Sequence, residues 1–117
     1  MNLGIQMNSE NIFQSIPDNI DEEIFETLAQ SNNVKIERII SKGHQSPESG
    51  WYDETRNEWV IVLKGEAIIE YESGEQAKLV EGSFINIPAH TKHRVSWTKP
   101  DTETVWLAVH YSSAPGQ

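Results

Sequence analysis

The chain has 117 residues, enough for one hydrophobic core and too few for two. A formal net charge of −9 would repel a phosphate backbone over most of the surface, which argues against nucleic acid as a partner. The absence of cysteine excludes disulfides, thiolate metal sites and cysteine nucleophiles, and no apolar run approaches the roughly 20 residues needed to span a bilayer.

With 37% hydrophobic and 23% charged residues, the composition is that of an ordinary soluble globular protein. The start, Met1 to Asn8, lacks the basic head and long apolar core of a secretory signal, so a cytoplasmic location and no membrane partner are expected. Residues 1–33 carry six acids, Glu10, Asp18, Asp21, Glu22, Glu23 and Glu26, and no Lys or Arg. Within them, residues 18–30 read as a short helix: acids crowd its first turn, where they complement the helix dipole, and Ile20, Ile24, Phe25 and Leu28 fall on one side. An arm packing this side on the body of the protein or on a second subunit is expected, with an acidic recognition helix as the alternative.

From Val34 the apolar period changes to 2. Val34, Ile36, Arg38 and Ile40 alternate with Lys35, Glu37, Ile39 and Ser41 up to the Lys42-Gly43 turn. Residues 44–57 are rich in breakers and form the longest irregular segment, a length often tied to function. Strands follow over 58–64, 67–71, 77–80, 84–87, 93–97 and 104–111, separated by turns at Gly65, Ser73-Gly74, Glu81-Gly82, Pro88 and residues 99–102. Residues 112–117 form a polar tail expected to fray. About eight short strands without intervening helices point to an antiparallel sandwich or closed barrel. In strand 58–64, Glu58, Val60 and Val62 share one face and Trp59, Ile61 and Leu63 the other. Both faces are apolar, so the outer one needs a cover, and a homodimer is expected.

Two stretches go further. Glu58 stands at the head of an apolar strand with Gly65 seven positions on, and Gly82, Pro88 and His93 follow in the pattern G-x5-P-x4-H. These stretches resemble the paired motifs of the cupin family over residues 34–111. The resemblance implies an all-β fold, an antiparallel jelly-roll barrel with its site inside the open end, here preceded by the helical arm of residues 1–33. It also implies that Glu58 and His93 face inward, with Val95 and Trp97 lining the second strand. The family's first motif opens with an H-x-H pair, and this chain has Trp51-Tyr-Asp-Glu54 in that place.

With Glu58 and His93 as two legs of a site for Fe, Mn, Ni or Zn, His44 is the first choice for a third ligand and His90 the next. Tyr52 and Asp53 could ligate through oxygen. Trp51, Tyr52 and Trp97 are candidates to contact an apolar or planar ligand, against a default of core packing. Arg94 alternates with His93 and so belongs to a surface ion pair, whereas Arg56 in the loop could close over a carboxylate. His110, on one face with Trp106 and Ala108, reads as a rim or interface residue. Two function classes remain open: a small-molecule-binding cupin working as a metal-dependent oxygenase, isomerase or lyase, and a non-catalytic ligand-binding or sensor module without metal. A sugar-nucleotide isomerase would want a positively charged pocket, which nine basic residues spread along an acidic chain do not favour.

Overall fold

The computed structural model describes residues 8–47 and 49–112. Of the polar tail, residues 113–117 lie outside the described residues, as do residues 1–7 of the arm. Eight strands, β1 (Ile24–Gln30), β2 (Val34–Ser41), β3 (Asn57–Lys64), β4 (Ala67–Tyr71), β5 (Gln76–Leu79), β6 (Phe84–Ile87), β7 (His93–Thr98) and β8 (Thr104–Tyr111), form two antiparallel sheets. One has the order β1-β2-β8-β3-β6 and the other β5-β4-β7. The sheets face each other as a jelly-roll barrel, and no helix among the described residues is long and apolar enough to cross a membrane.

The barrel closes because alternation in the long strands delivers one face of each to a shared core. Val60 and Val62 of β3, Ala67 and Ile69 of β4, Ile87 of β6, and Trp106 and Ala108 of β8 are all buried there with Leu79. Each large apolar side chain so buried contributes about 1.5–3 kcal/mol. The Trp106 indole enters this core without an orphaned donor, since its Nε1–H donates to Ser41 Oγ at 3.2 Å.

The helix expected over residues 18–30 does not form. Residues 24–30 are instead the edge strand β1, with Phe25 opposite Ile39 and Glu26 opposite Arg38. Tertiary pairing overrides the helical spacing here: as a strand, the segment meets the free edge of β2 and brings Glu26 Oε1 to 2.6 Å from Arg38 Nη2. Arg38 is 4% exposed, and its guanidinium also donates to the carbonyls of Ile12 and Gln14. The arm therefore packs on the barrel through carbonyls that satisfy a buried cation, not through an apolar helix face. Leu28, left over by a register shift between Thr27 and Ala29, is 49% exposed.

A second register shift bears on the site. In the β4–β7 ladder Ile69 pairs with Val95 and Ile68 with Trp97, so Ser96 is the extra residue of a bulge. Gly65 marks the tight turn between β3 and β4. Its φ is +91°, and a Cβ there would lie 2.3 to 2.9 Å from Thr104 atoms, backbone Cα included. Gly65→Ala combines left-handed strain with overpacking against a fully buried neighbour, and the expected loss of stability is about 3 kcal/mol. A urea unfolding midpoint equal to that of the unmutated protein would refute this.

Candidate functional site

Inside the open end lies a cavity of about 210 Å³. Its floor and walls are apolar, with Ile39, Val60, Ile69, Ile87, Val95 and Trp106, and its polar lining consists of Glu23, Glu37, Glu54, Glu58, Tyr52 and His93. Strand parity sets this up. Glu58 precedes Val60 on the inward face of β3 and sits opposite both Ile87 and His110. His93 opens β7 two residues before Val95, and Glu37 stands on β2 two residues before Ile39.

Of the residues singled out from sequence, Glu58, His93 and Tyr52 come together at the cavity. Glu58 Oε1 lies 3.5 Å from His93 Nε2. Tyr52 is held against β7 by a two-bond bridge, its N–H donating to the His93 carbonyl at 2.8 Å and the His93 N–H donating back at 3.2 Å. The two ring centroids are 5.7 Å apart, with the planes tilted by 40°.

His44, His90, Trp51 and Trp97 are placed elsewhere. His44 Nδ1 accepts from the Lys42 N–H and its Nε2 bonds the Asp21 carbonyl, so this ring staples the arm to a turn. His90 occupies the corner after Pro88 with φ +61°, where its exposed ring pairs with Asp53 at 2.9 Å. Trp51 lies under the Arg94 guanidinium, 4.7 Å away, and Arg94 is paired with Glu70. The bulge at Ser96 sets Trp97 opposite Ile68 and gives the interior to Thr98, which is 1% exposed.

Beside Glu58 stand His110 and Glu54. His110 is 8% exposed; its Nε2 lies 2.8 Å from Glu37 Oε1 and its Nδ1 3.6 Å from Glu54 Oε2. Among the described residues, Glu54 Oε2 is the buried side-chain polar atom left without a hydrogen-bond partner. Glu54, Glu58 and His110 each bring one ligand atom within 4.8 Å of the others. Parity held the signal: Trp106, Ala108 and His110 share a face, and that face is the inward one. Glu54 stands two residues after Tyr52 and four before Glu58, where the H-x-H pair of the family motif would end.

The electrostatics follow from these contacts. The hydrogen bond to Glu37, then the Glu54 carboxylate 3.6 Å away, outweighs burial and pushes the His110 imidazole up to about 9. The same histidine holds both Glu37 and Glu54 below the usual carboxylate range. Burial pulls His93 down, but Glu58 and the Thr91 carbonyl overcome it and leave the ring raised.

The donor set fits a divalent ion. Two carboxylates and the His110 imidazole, without thiolate, suit Mn, Fe, Ni or Zn, and His93 Nε2 stands 3.5 Å from Glu58 Oε1. Each imidazole is oriented as a metal ligand would be: His93 Nδ1 is tied to the Thr91 carbonyl at 2.7 Å, leaving Nε2 toward Glu58, and His110 Nε2 is tied to Glu37, leaving Nδ1 toward Glu54. The buried Glu54 oxygen lacks a donor, which a cation would supply.

The family profile described as the cupin domain matches residues 38–110. Among solved structures, a candidate mannose-6-phosphate isomerase from Ralstonia eutropha JMP134 is 42% identical, with a TM-score of 0.87, covering 92% of this chain and 100% of its own. A cupin superfamily protein from Desulfitobacterium hafniense DCB-2 is 20% identical over 84% of each chain, with a TM-score of 0.68. An RmlC-like cupin from Desulfovibrio desulfuricans is 19% identical, covering 90% of this chain and 97% of its own, with a TM-score of 0.69. The last two are likenesses of fold. No curated protein gives a significant match.

Proposed function

The chain belongs to the cupin family, and from that premise we propose that its barrel is a divalent-metal site for a small-molecule enzyme, with Glu54, Glu58 and His110 as the ligand cluster of an Fe, Mn, Ni or Zn ion and His93, 3.5 Å from Glu58, as a fourth ligand. The observation that carries this reading is the buried, donorless Glu54 oxygen beside Glu58 and an imidazole whose other nitrogen is already taken by a carboxylate. A bound ion supplies Lewis acidity toward a carbonyl or hydroxyl oxygen of the ligand. The chain's own residues do the rest. Glu37 and the Thr91 carbonyl fix the two rings, the apolar wall from Ile39 to Trp106 excludes water around the bound molecule, and Tyr52 stands over His93 at the entrance.

Isomerase or lyase chemistry is the class that such polarisation supports, and the isomerase designation of the Ralstonia eutropha protein is in line with it. A second reading is favoured by one feature: both ring nitrogens of His110 already face carboxylates, so a proton can occupy the place of the ion. The barrel would then be a binding module without metal.

Metal analysis decides between the two. Protein purified without chelator or affinity tag is expected to carry close to one equivalent of Fe, Mn, Ni or Zn by inductively coupled plasma mass spectrometry, and Glu58→Gln is expected to lose it. A native protein that stays metal-free after incubation with each ion would leave the binding module as the reading.

A further inference from the structure

In the metal reading, every carboxylate of the cavity has a task except one. Glu54 and Glu58 belong to the donor set, Glu37 holds the outer nitrogen of His110, and Glu23 remains. Glu23 lies just ahead of β1, and Ser41 Oγ donates to its Oε2 at 2.6 Å, which fixes the carboxylate against the wall. Phe25 and Tyr52 line the same cavity and are 56% and 43% exposed, whereas Trp106 is buried. An anchored carboxylate beside two aromatic rings at an entrance offers an ammonium group both a charge partner and quadrupole attraction.

The charge of the whole cavity points the same way. Among the described residues four carboxylates line it, and no Lys or Arg does. A divalent ion offsets Glu54 and Glu58, Lys35 pairs with Glu37 at 3.6 Å, and Arg56 acts on Glu54 from outside the lining, so Glu23 is the lining carboxylate left without a cationic partner.

We infer that this cavity selects a small cationic molecule bearing a hydroxyl or carbonyl oxygen, in class an amino alcohol or amino sugar, and rejects phosphorylated ones. The oxygen goes to the Glu54, Glu58 and His110 cluster, and the ammonium goes to Glu23 beside Phe25 and Tyr52. The inference rests on the proposed function in taking the same cavity as the ligand site. It also separates this chain from the sugar phosphate named for its 42%-identical relative.

The test is a charge series on one frame. Binding of 2-aminoethanol, ethylene glycol and 2-hydroxyethyl phosphate to the full chain is followed by calorimetric titration, with metal content measured on the same samples. Aminoethanol is expected to bind at least tenfold more tightly than the glycol, and the phosphate more weakly than either. Glu23→Gln is expected to erase the aminoethanol preference with metal content unchanged, and Glu23→Lys to shift the preference toward the phosphate. Phosphate binding equal to or tighter than aminoethanol binding in the unmutated protein would overturn the inference, whatever the variants do. So would an aminoethanol preference unaltered in Glu23→Gln. A metal-free protein that keeps the preference sinks the metal reading and upholds this one; a metal-loaded protein without it does the reverse.

Discussion

Replacing His110 by alanine is expected to lower the stability of the metal-free protein by about 3 kcal/mol and to abolish tight metal uptake. The ring is the counter-charge of Glu37, a carboxylate only 7% exposed, and the nearest cation to Glu54 Oε2. Removing it leaves two carboxylates facing each other across a cavity, and their mutual repulsion adds to the loss of the hydrogen bond at 2.8 Å. Packing loss also follows any His→Ala change, so the informative comparison is a double-mutant cycle with Glu37→Gln. If the pair carries the energy, neutralising Glu37 in the alanine background recovers more than 1 kcal/mol, as an amide tolerates burial better than a carboxylate left with only the Lys35 ammonium at 3.6 Å. Urea midpoints in the presence of chelator measure all four corners. An additive cycle would show that the cost is packing alone and would remove His110 from its central place in the site.

The distance between what the residues declared and what they built is instructive at particular positions. Glu58 and His93 were legible because a motif with two turn residues, Gly82 and Pro88, fixes where each strand begins, and parity then carries both side chains inward. His110 shows the limit of parity. Alternation groups Trp106, Ala108 and His110 on one face, but only the β3–β8 register, with Glu58 opposite His110, tells that this face is the interior. Trp97 fails for the opposite reason: parity counted from His93 puts it inside, and a bulge at Ser96, with no glycine to announce it, turns it out. His44 and the arm fail together. Acids and apolar residues at helical spacing describe residues 18–30 equally well as an edge strand, and only the pairing of Phe25 with Ile39 and Glu26 with Arg38 decides it. Once the chain takes that route, Asp21 offers its carbonyl to the His44 ring, which is not among the residues lining the cavity. Glu23 and Phe25 reach the cavity by the same change, and a helical arm would have carried them elsewhere.

The stability of the metal-free protein is expected to peak between about pH 4.5 and 6.5 and to fall by about 3 kcal/mol as the pH rises to about 9. The sign follows from the direction of each shift. His110 is raised from 6.5 to about 9 in the folded chain, chiefly by its hydrogen bond to Glu37, so folding favours its protonated form. That contribution is complete below the unfolded value of 6.5 and is lost as the pH climbs through about 9. Glu37 and Glu54 are lowered from 4.5, both chiefly by His110, so their contribution is complete above that value and is lost on acidification. His93 is also raised, which adds to the alkaline loss. Urea midpoints from pH 5 to 10 in chelator give the profile, and His110→Ala is expected to flatten its alkaline limb. A metal-loaded protein should behave differently, because His110 must give up its Nδ1 proton to ligate. Metal affinity then rises about tenfold per pH unit while that proton is held, and the alkaline fall in stability disappears in the loaded form. A midpoint in chelator that stays level between pH 6.5 and 9 would mean that His110 is neutral in the folded chain. The ring would then present a free nitrogen to an ion at neutral pH without a proton to displace.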